Sequence, residues 1–353
     1  MEKLLTIVIP AYNMESLLPR CLDSICIEKV MDRVQVLIVN DGSKDKTLEI
    51  AQTYESRYPH YFTVVDKPNG NYGSCMNVGL SCAEGKYFRT LDADDWYDSK
   101  SYEKFVDELE KTDADMLLCE RKEFYEARNC FVDITFNKDV QLNKDLIINK
   151  KFWGNDSIKA NVLVPSICYK TSILRECNMK WTENAFYTDT EYDYFPLALV
   201  KTIRFIPLTV YIYLIGRNEQ SISSESIKKN FRSFYLVTKR IISNLVESSQ
   251  KESEVYPLQE MHSIRILRFI YQSLLIQGID YANEIKEIDE IVSKDILLYE
   301  RTNKIDVYRN YYYVDAYRHN KLKFMLIYTD YKLRRFLHKL FKEENNPMPI
   351  TYR

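Results

Sequence analysis

A chain of 353 residues exceeds one ordinary domain, and 46% hydrophobic with 28% charged residues is the composition of a globular protein able to bury a sizeable core. With a formal net charge of -2 nothing global argues for nucleic acid, and none is expected as a partner. No apolar run approaches the roughly 18 residues of a membrane span, and the run before Pro10 is too short, with Asn13 and Glu15 following directly, to read as a signal peptide. The expectation is therefore two domains, or one with a long extension, either soluble or lying on a membrane surface. The eight cysteines are scattered among apolar neighbours without a Cys-x-x-Cys pair, which predicts buried reduced thiols and a cytoplasmic protein.

In chain order, β-branched runs predict strands over 6–9, 34–40, 62–65, 87–91 and 116–119, with helical patterns near 15–27, 45–57, 73–83 and 100–111 between them. This alternation predicts an α/β fold with a mostly parallel sheet flanked by helices, whose ligands sit at the carboxyl ends of the strands. Four loops end there: Pro10-Ala11-Tyr12-Asn13, Asn40-Asp41-Gly42-Ser43, Asp66-Lys67-Pro68-Asn69-Gly70 and the acidic run Asp92-Ala93-Asp94-Asp95. Residues 120–180 read as short strands and loops. Beyond Tyr213 the pattern turns helical, with apolar periodicity near 227–248, 258–277 and 320–342, a mainly helical C-terminal extension.

Three carboxylates within four residues repel one another unless a cation or deliberate hydrogen bonding offsets them. Hard oxygen ligands suit Mg²⁺ or Mn²⁺, which keep waters and bridge substrate phosphates. A helix N-cap is the plainer reading, with Asp98 or Ser99 starting the next helix, but capping needs one carboxylate. The turn at Asp41-Gly42 is ordinary turn chemistry, with Ser43 or Asp45 as a cap; alternatively Asp41 projects to a base edge or ribose. Gly79, Gly85 and Lys86 have the wrong spacing for a phosphate loop, Tyr87 stands where Ser or Thr is required, and no Gly-x-Gly-x-x-Gly is present.

Taken in order, Ile7-Val8-Ile9-Pro10-Ala11-Tyr12-Asn13, Asn40-Asp41-Gly42-Ser43, Asn69-Gly70-Asn71-Tyr72-Gly73 and Leu91-Asp92-Ala93-Asp94-Asp95-Trp96 resemble the motifs of family 2 glycosyltransferases of the GT-A fold. The match covers roughly residues 4–215. The resemblance implies a catalytic domain over 1–215, with 216–353 as the helical extension. It implies inverting transfer from a nucleoside-diphosphate sugar, usually a UDP-sugar, with Mg²⁺ or Mn²⁺, to a glycan or lipid-linked glycan acceptor, in bacterial envelope polysaccharide assembly on the cytoplasmic membrane face. By the same resemblance Asp41 binds the base, and Pro10, Ala11, Tyr12, Glu15, Asn69 and Gly73 belong to the nucleotide pocket. Asp92-Ala93-Asp94 is the family's Asp-x-Asp, with Asp94 on the metal, Asp92 at the ribose or supporting the metal, and Asp95 in support. Met76 stands where many relatives have an Arg.

The family supplies its general base from an acidic pair after a variable loop. The matching stretch is Phe186-Tyr187-Thr188-Asp189-Thr190-Glu191-Tyr192-Asp193, opening a helix that runs to Leu199, with Asp189 as the base and Glu191 and Asp193 as alternatives. Asp189 or Thr188 also qualifies as a plain N-cap. Arg217 is a candidate for holding the leaving diphosphate, against a plain surface Arg. A nucleotidyltransferase and a silent nucleotide-sugar-binding or scaffold protein are the competing functions; the first expects a glycine- and base-rich loop that Pro10-Ala11-Tyr12-Asn13 lacks.

From Arg318 to Lys342 there are eight Lys or Arg against the single acid Asp330. Leu322, Met325, Leu326, Leu333, Phe336, Leu337 and Leu340 recur there at helical spacing, flanked by Lys321, Lys332, Arg335 and Lys339. Two readings stand: a helix docked on an anionic membrane surface, or the outer helix of a bundle, the commoner use of an apolar stripe.

Overall fold

A computed structural model describes residues 3–216, 229–277, 282–305, 307–308 and 311–340; Arg217 lies outside them. The described residues form two compact units, one of residues up to Ile241 with Glu247–His262, the other of Ile242–Val246 with residues from Ser263 onward.

In the first unit, β1 (Leu5–Ala11), β2 (Val34–Asn40), β3 (Phe62–Asp66) and β4 (Tyr87–Thr90) alternate with α1 (Leu18–Ile25), α2 (Glu28–Met31), α3 (Thr47–Arg57) and α4 (Asn71–Ser81). The four strands are parallel in the order β3-β2-β1-β4. Strand side chains alternate between faces, and here both faces are apolar. Leu5, Ile7, Ile9, Val34, Val36 and Ile38 enter one core cluster, while Val8, Leu37 and Val39 enter the other. The polar exceptions close the amino end of the sheet: Thr6 Oγ1 donates to Gln35 Oε1 at 2.7 Å and accepts from Gly85 N at 2.9 Å. Gly79 and Gly85 are packing residues, since a Cβ would meet Val8 Cγ2 at 2.5 Å and Thr6 N at 2.3 Å respectively.

After β5 (Trp96–Tyr97) and α5 (Ser99–Leu109) the sheet becomes mixed. It grows through β6 (Met116–Tyr125), β7 (Cys130–Ile134), β8 (Asp145–Ile147), β9 (Ile167–Lys170) and β10 (Thr202–Ile215). The fifth predicted strand is β6, but it does not lie beside β4, because β9 inserts antiparallel between them. The long β6–β10 pair is again parallel. Shorter helices α6 (Asp156–Asn161), α7 (Thr171–Glu176) and α8 (Asp189–Tyr194) lie between. The helix expected to reach Leu199 ends at Tyr194; a 3₁₀ segment, Phe195–Leu199, continues because Pro196 has no N–H to donate.

The second unit is helical, with Ala282–Val292, Ile296–Asn303, Tyr313–His319 and Lys321–Leu340 beside two short paired strands, Val307–Tyr308 and Tyr311–Tyr312. Asn320 separates the last two helices, and its Oδ1 accepts from Lys323 N at 2.9 Å, which caps the new start. Arg318 is the hub of this unit. Its guanidinium donates to Asp289 Oδ1 at 2.5 and 2.8 Å, Tyr271 Oη at 2.7 Å and Asn303 Oδ1 at 2.6 Å, and lies 4.0 Å over the Tyr299 ring.

Candidate active site

The loops after β1 and β2 are sewn together. Asn13, at φ 54°, donates from its N to Ser43 Oγ and accepts from Lys44 N through Oδ1 at 2.8 Å. Glu15 Oε2 accepts from Lys46 N at 3.0 Å and Glu15 N donates to Asp45 Oδ2 at 3.0 Å. The Glu15 carboxylate is thus engaged in holding the rim. Pro10 and Ala11 lie at the strand end below it, Ala11 buried, while Tyr12 projects into solvent with 43% of its surface exposed.

Asp41 is buried, and its Oδ1 accepts from Lys67 Nζ at 2.5 Å and Gly70 N at 2.9 Å. Lys67 Nζ also donates to Ser74 Oγ and Pro68 O, both at 2.7 Å, and Asn69 Nδ2 donates to Asp41 O at 2.9 Å. The second and third loops are thereby one ionic unit. Gly73 serves close approach: a Cβ there would meet Thr182 O at 2.1 Å. Met76, the departure from the family pattern, is buried in the core.

The acidic run forms a turn after β4, closed by Asp95 N donating to Asp92 O at 3.0 Å. One oxygen from each of Asp92, Asp94 and Asp95 lies within 4.8 Å of the others. Asp98, and not one of these three, caps α5 by accepting from Ser101 N. Asp92 Oδ1 is buried with no hydrogen-bond partner, and its carboxyl is pushed up to about 8 by burial, then by Asp94 and Asp189. Crowded oxygens with one orphaned and buried are the donor set a hard divalent cation suits. Ala93 is buried beneath the turn.

Asp95 has a different duty. Wholly buried, it accepts from Tyr211 Oη at 2.6 Å and Leu214 N at 2.7 Å, tying the turn to β10. Burial, then Asp94 and Asp92, drive its carboxyl well above the ordinary range. Tyr211 Oη also accepts from Asp92 N at 3.2 Å, so one hydroxyl holds both ends of the acidic run. On the other side Arg20 donates to Asp94 O at 2.7 Å while its guanidinium lies 3.9 Å over the Trp96 ring.

On α8 the three acids differ. Glu191 is wholly buried, with Oε2 accepting from Thr182 N at 2.7 Å and Oε1 from Arg240 Nη1 at 2.6 Å. Asp193 is buried as well. Asp189 is exposed at the start of α8, and desolvation, opposed by hydrogen bonds from backbone N–H groups, raises its pKa. It acts electrostatically on Asp92, Tyr72 and Tyr213, and Asp92 acts on both tyrosines too, so the two acidic segments converge. Thr188 holds the N-cap position without a capping bond from its hydroxyl, and Tyr187 before it sits at φ 65°, a strained value for a bulky residue.

Sequence reasoning passed over Lys67, Tyr211 and Arg20. Lys67 stands inside the third loop, a signal that points to it; Tyr211 lies on β10 and Arg20 on α1, with none.

The match to known proteins agrees with this geometry. Residues 6–160 match the model of glycosyl transferase family 2. The uncharacterized glycosyltransferase EpsJ of Bacillus subtilis is 32% identical over 119 residues, 34% of this chain and 34% of that protein, so the chain spans about a third of that relative's length. An uncharacterized glycosyltransferase of Haemophilus influenzae is 26% identical over 294 residues, covering 77% of this chain and 86% of that protein. Among solved structures, S. aureus TarS residues 1–349 in complex with UDP-GlcNAc superposes with a TM-score of 0.58 at 18% identity, over 89% of this chain and 91% of that one. Residues 6–160 of this chain, on a mostly parallel sheet that carries the acidic turn at its carboxyl edge, are a glycosyl transferase family 2 domain, and the fold is GT-A.

Proposed function

We propose that this protein is an inverting glycosyltransferase that moves a hexosyl or N-acetylhexosaminyl unit from a nucleoside-diphosphate sugar, a UDP-sugar, to a hydroxyl of a glycan or lipid-linked glycan in bacterial envelope polysaccharide assembly. The approach of exposed Asp189 to the Asp92–Asp94 turn, close enough to act electrostatically on Asp92, carries the reading. Support for the donor class comes from the similarity to TarS, whose structure holds UDP-GlcNAc.

In this reading Asp94 and Asp92 would hold Mg²⁺ or Mn²⁺, which when bound supplies charge neutralisation for the leaving diphosphate. Asp41, fixed by Lys67 and Gly70 N, orients the base, and exposed Tyr12 covers it. Pro10, Ala11 and Asn69 shape the pocket floor, and Glu15 and Gly73 hold its walls in place. Arg217, outside the described residues, is retained as a diphosphate contact. Asp189 accepts the proton of the acceptor hydroxyl as its oxygen attacks the anomeric carbon opposite the departing diphosphate; its raised pKa makes it a better proton acceptor than an ordinary carboxylate.

A donor screen that follows released nucleoside diphosphate with and without Mn²⁺ tests this. Asp189→Asn is expected to lower kcat by about 10²–10⁴-fold with donor KM little changed. Asp94→Ala is expected to abolish the Mn²⁺ dependence together with turnover. Metal-independent turnover that survives Asp94→Ala would refute the mechanism.

A further inference from the structure

The helix Lys321–Leu340 carries an apolar stripe that faces away from the protein. Leu322 is 74% exposed, Leu326 66%, Leu333 55% and Phe336 59%, with Met325 also exposed. At about 100° per residue these five side chains lie within about 60° of one direction along the helix. Thr329, the polar member of that face, returns its hydroxyl to Met325 O at 2.8 Å and so leaves no demand on a partner. Phe324 and Ile327, which project from the opposite side, are buried. The helix is therefore seated through one apolar face and presents a second to solvent, where isolated apolar residues are ordinary but a continuous stripe is not.

Charge frames the stripe. On the same wheel Lys321 and Lys332 fall about 80–100° to one side of it, and Lys323 and Arg334 about 100–120° to the other. Arg334 is held 3.2 Å from Asp330, while Lys332 and Lys323 lie 5.3 and 5.7 Å over the rings of Tyr328 and Tyr311. Arg318, counted with this basic run in the sequence, is not part of the frame, because it is buried on Asp289. No helix among the described residues is long and apolar enough to cross a membrane.

We propose that this helix docks in the plane of an anionic lipid surface, with Leu322, Met325, Leu326, Leu333 and Phe336 in the acyl boundary and Lys321, Lys323, Lys332 and Arg334 at the headgroups. Stripe depth and basic flanks on both sides are what interfacial helices need, and apolar burial combined with attraction to acidic lipid gives the binding. A second copy of the chain suits the face less well. Pairing two such helices through the stripe brings lysines against lysines, with Asp330 as the one acid on the helix and already engaged.

Co-sedimentation of the full chain with phosphatidylglycerol vesicles, and with phosphatidylcholine vesicles as the neutral arm, is the test; it needs no donor or acceptor and so stands or fails apart from the glycosyl-transfer reading. Wild type is expected to pellet with the acidic vesicles and to be released as salt rises from about 0.1 M to about 1 M, where the screening length shrinks from about 10 Å to about 3 Å. Leu326→Glu with Leu333→Glu is expected to lower the partition coefficient by about tenfold or more, with an unchanged melting temperature because both sites are exposed. Lys321→Gln with Lys332→Gln keeps the stripe and is expected to lose about tenfold and about half of the salt response. Wild type that stays in the supernatant with phosphatidylglycerol overturns the proposal. So does a stripe variant that pellets like wild type, or a soluble dimer that the stripe variant converts to monomer.

Discussion

Buried charge is handled in opposite ways in the two units. Around Arg318 each nitrogen of the guanidinium has a carboxylate, hydroxyl, amide or carbonyl acceptor, and a ring lies over its face. At the acidic turn three carboxylates crowd together, and a buried oxygen of Asp92 has no partner. Compensated charge of the first kind locks elements together; uncompensated charge of the second kind marks a place that expects something from outside the chain. Glu191 with Arg240 shows that the first unit also uses compensated pairs, which sets the paired acid apart from exposed Asp189 within a single turn of α8.

Removing compensation should have the largest effect on stability. Arg318→Ala leaves Asp289 without its main partner and is expected to cost about 3–5 kcal/mol, read by urea unfolding. A loss below about 1 kcal/mol would show that the hub is dispensable. Gly73→Ala sharpens the comparison from the packing side. Its Cβ would meet the Thr182 carbonyl, which is backbone and cannot rotate away, so a loss of about 1–3 kcal/mol is expected from the same measurement.

Asp92→Asn should act in the opposite direction on the metal-free protein. The folded state holds the Asp92 proton more tightly than the unfolded chain, with a pKa of about 8 against 3.8. Wild-type stability is therefore full below about pH 4 and declines as pH rises towards about 8, where the buried carboxylate must ionise. The variant has nothing to ionise, so its melting-temperature gain in chelator should be near zero below about pH 4 and grow to a plateau near pH 8–9. A gain that is the same at both ends would place the strain elsewhere than in the Asp92 charge. With Mn²⁺ present the order should reverse, since the variant has lost a candidate ligand.

Much of the first unit was legible before folding. The β-branched runs at 6–9 and 34–40, the polar loops after them and the acidic run all depend on neighbours within a few residues, where local propensity and turn chemistry act. The antiparallel β9 between β4 and β6 was not legible, because strand order depends on pairing across about 80 residues, and a short apolar run carries no direction. Asp189, Glu191 and Asp193 share one helix turn and one composition; Arg240, forty-nine positions away, engages Glu191 and leaves Asp189 as the acid that keeps accessible surface. The C-terminal stripe shows the same division. Its 3.6-residue period is a property of the sequence and is identical whether the face is core or surface. Only packing, which buried Phe324 and Ile327 and left Leu322, Leu326 and Leu333 in solvent, decided which apolar face points outward.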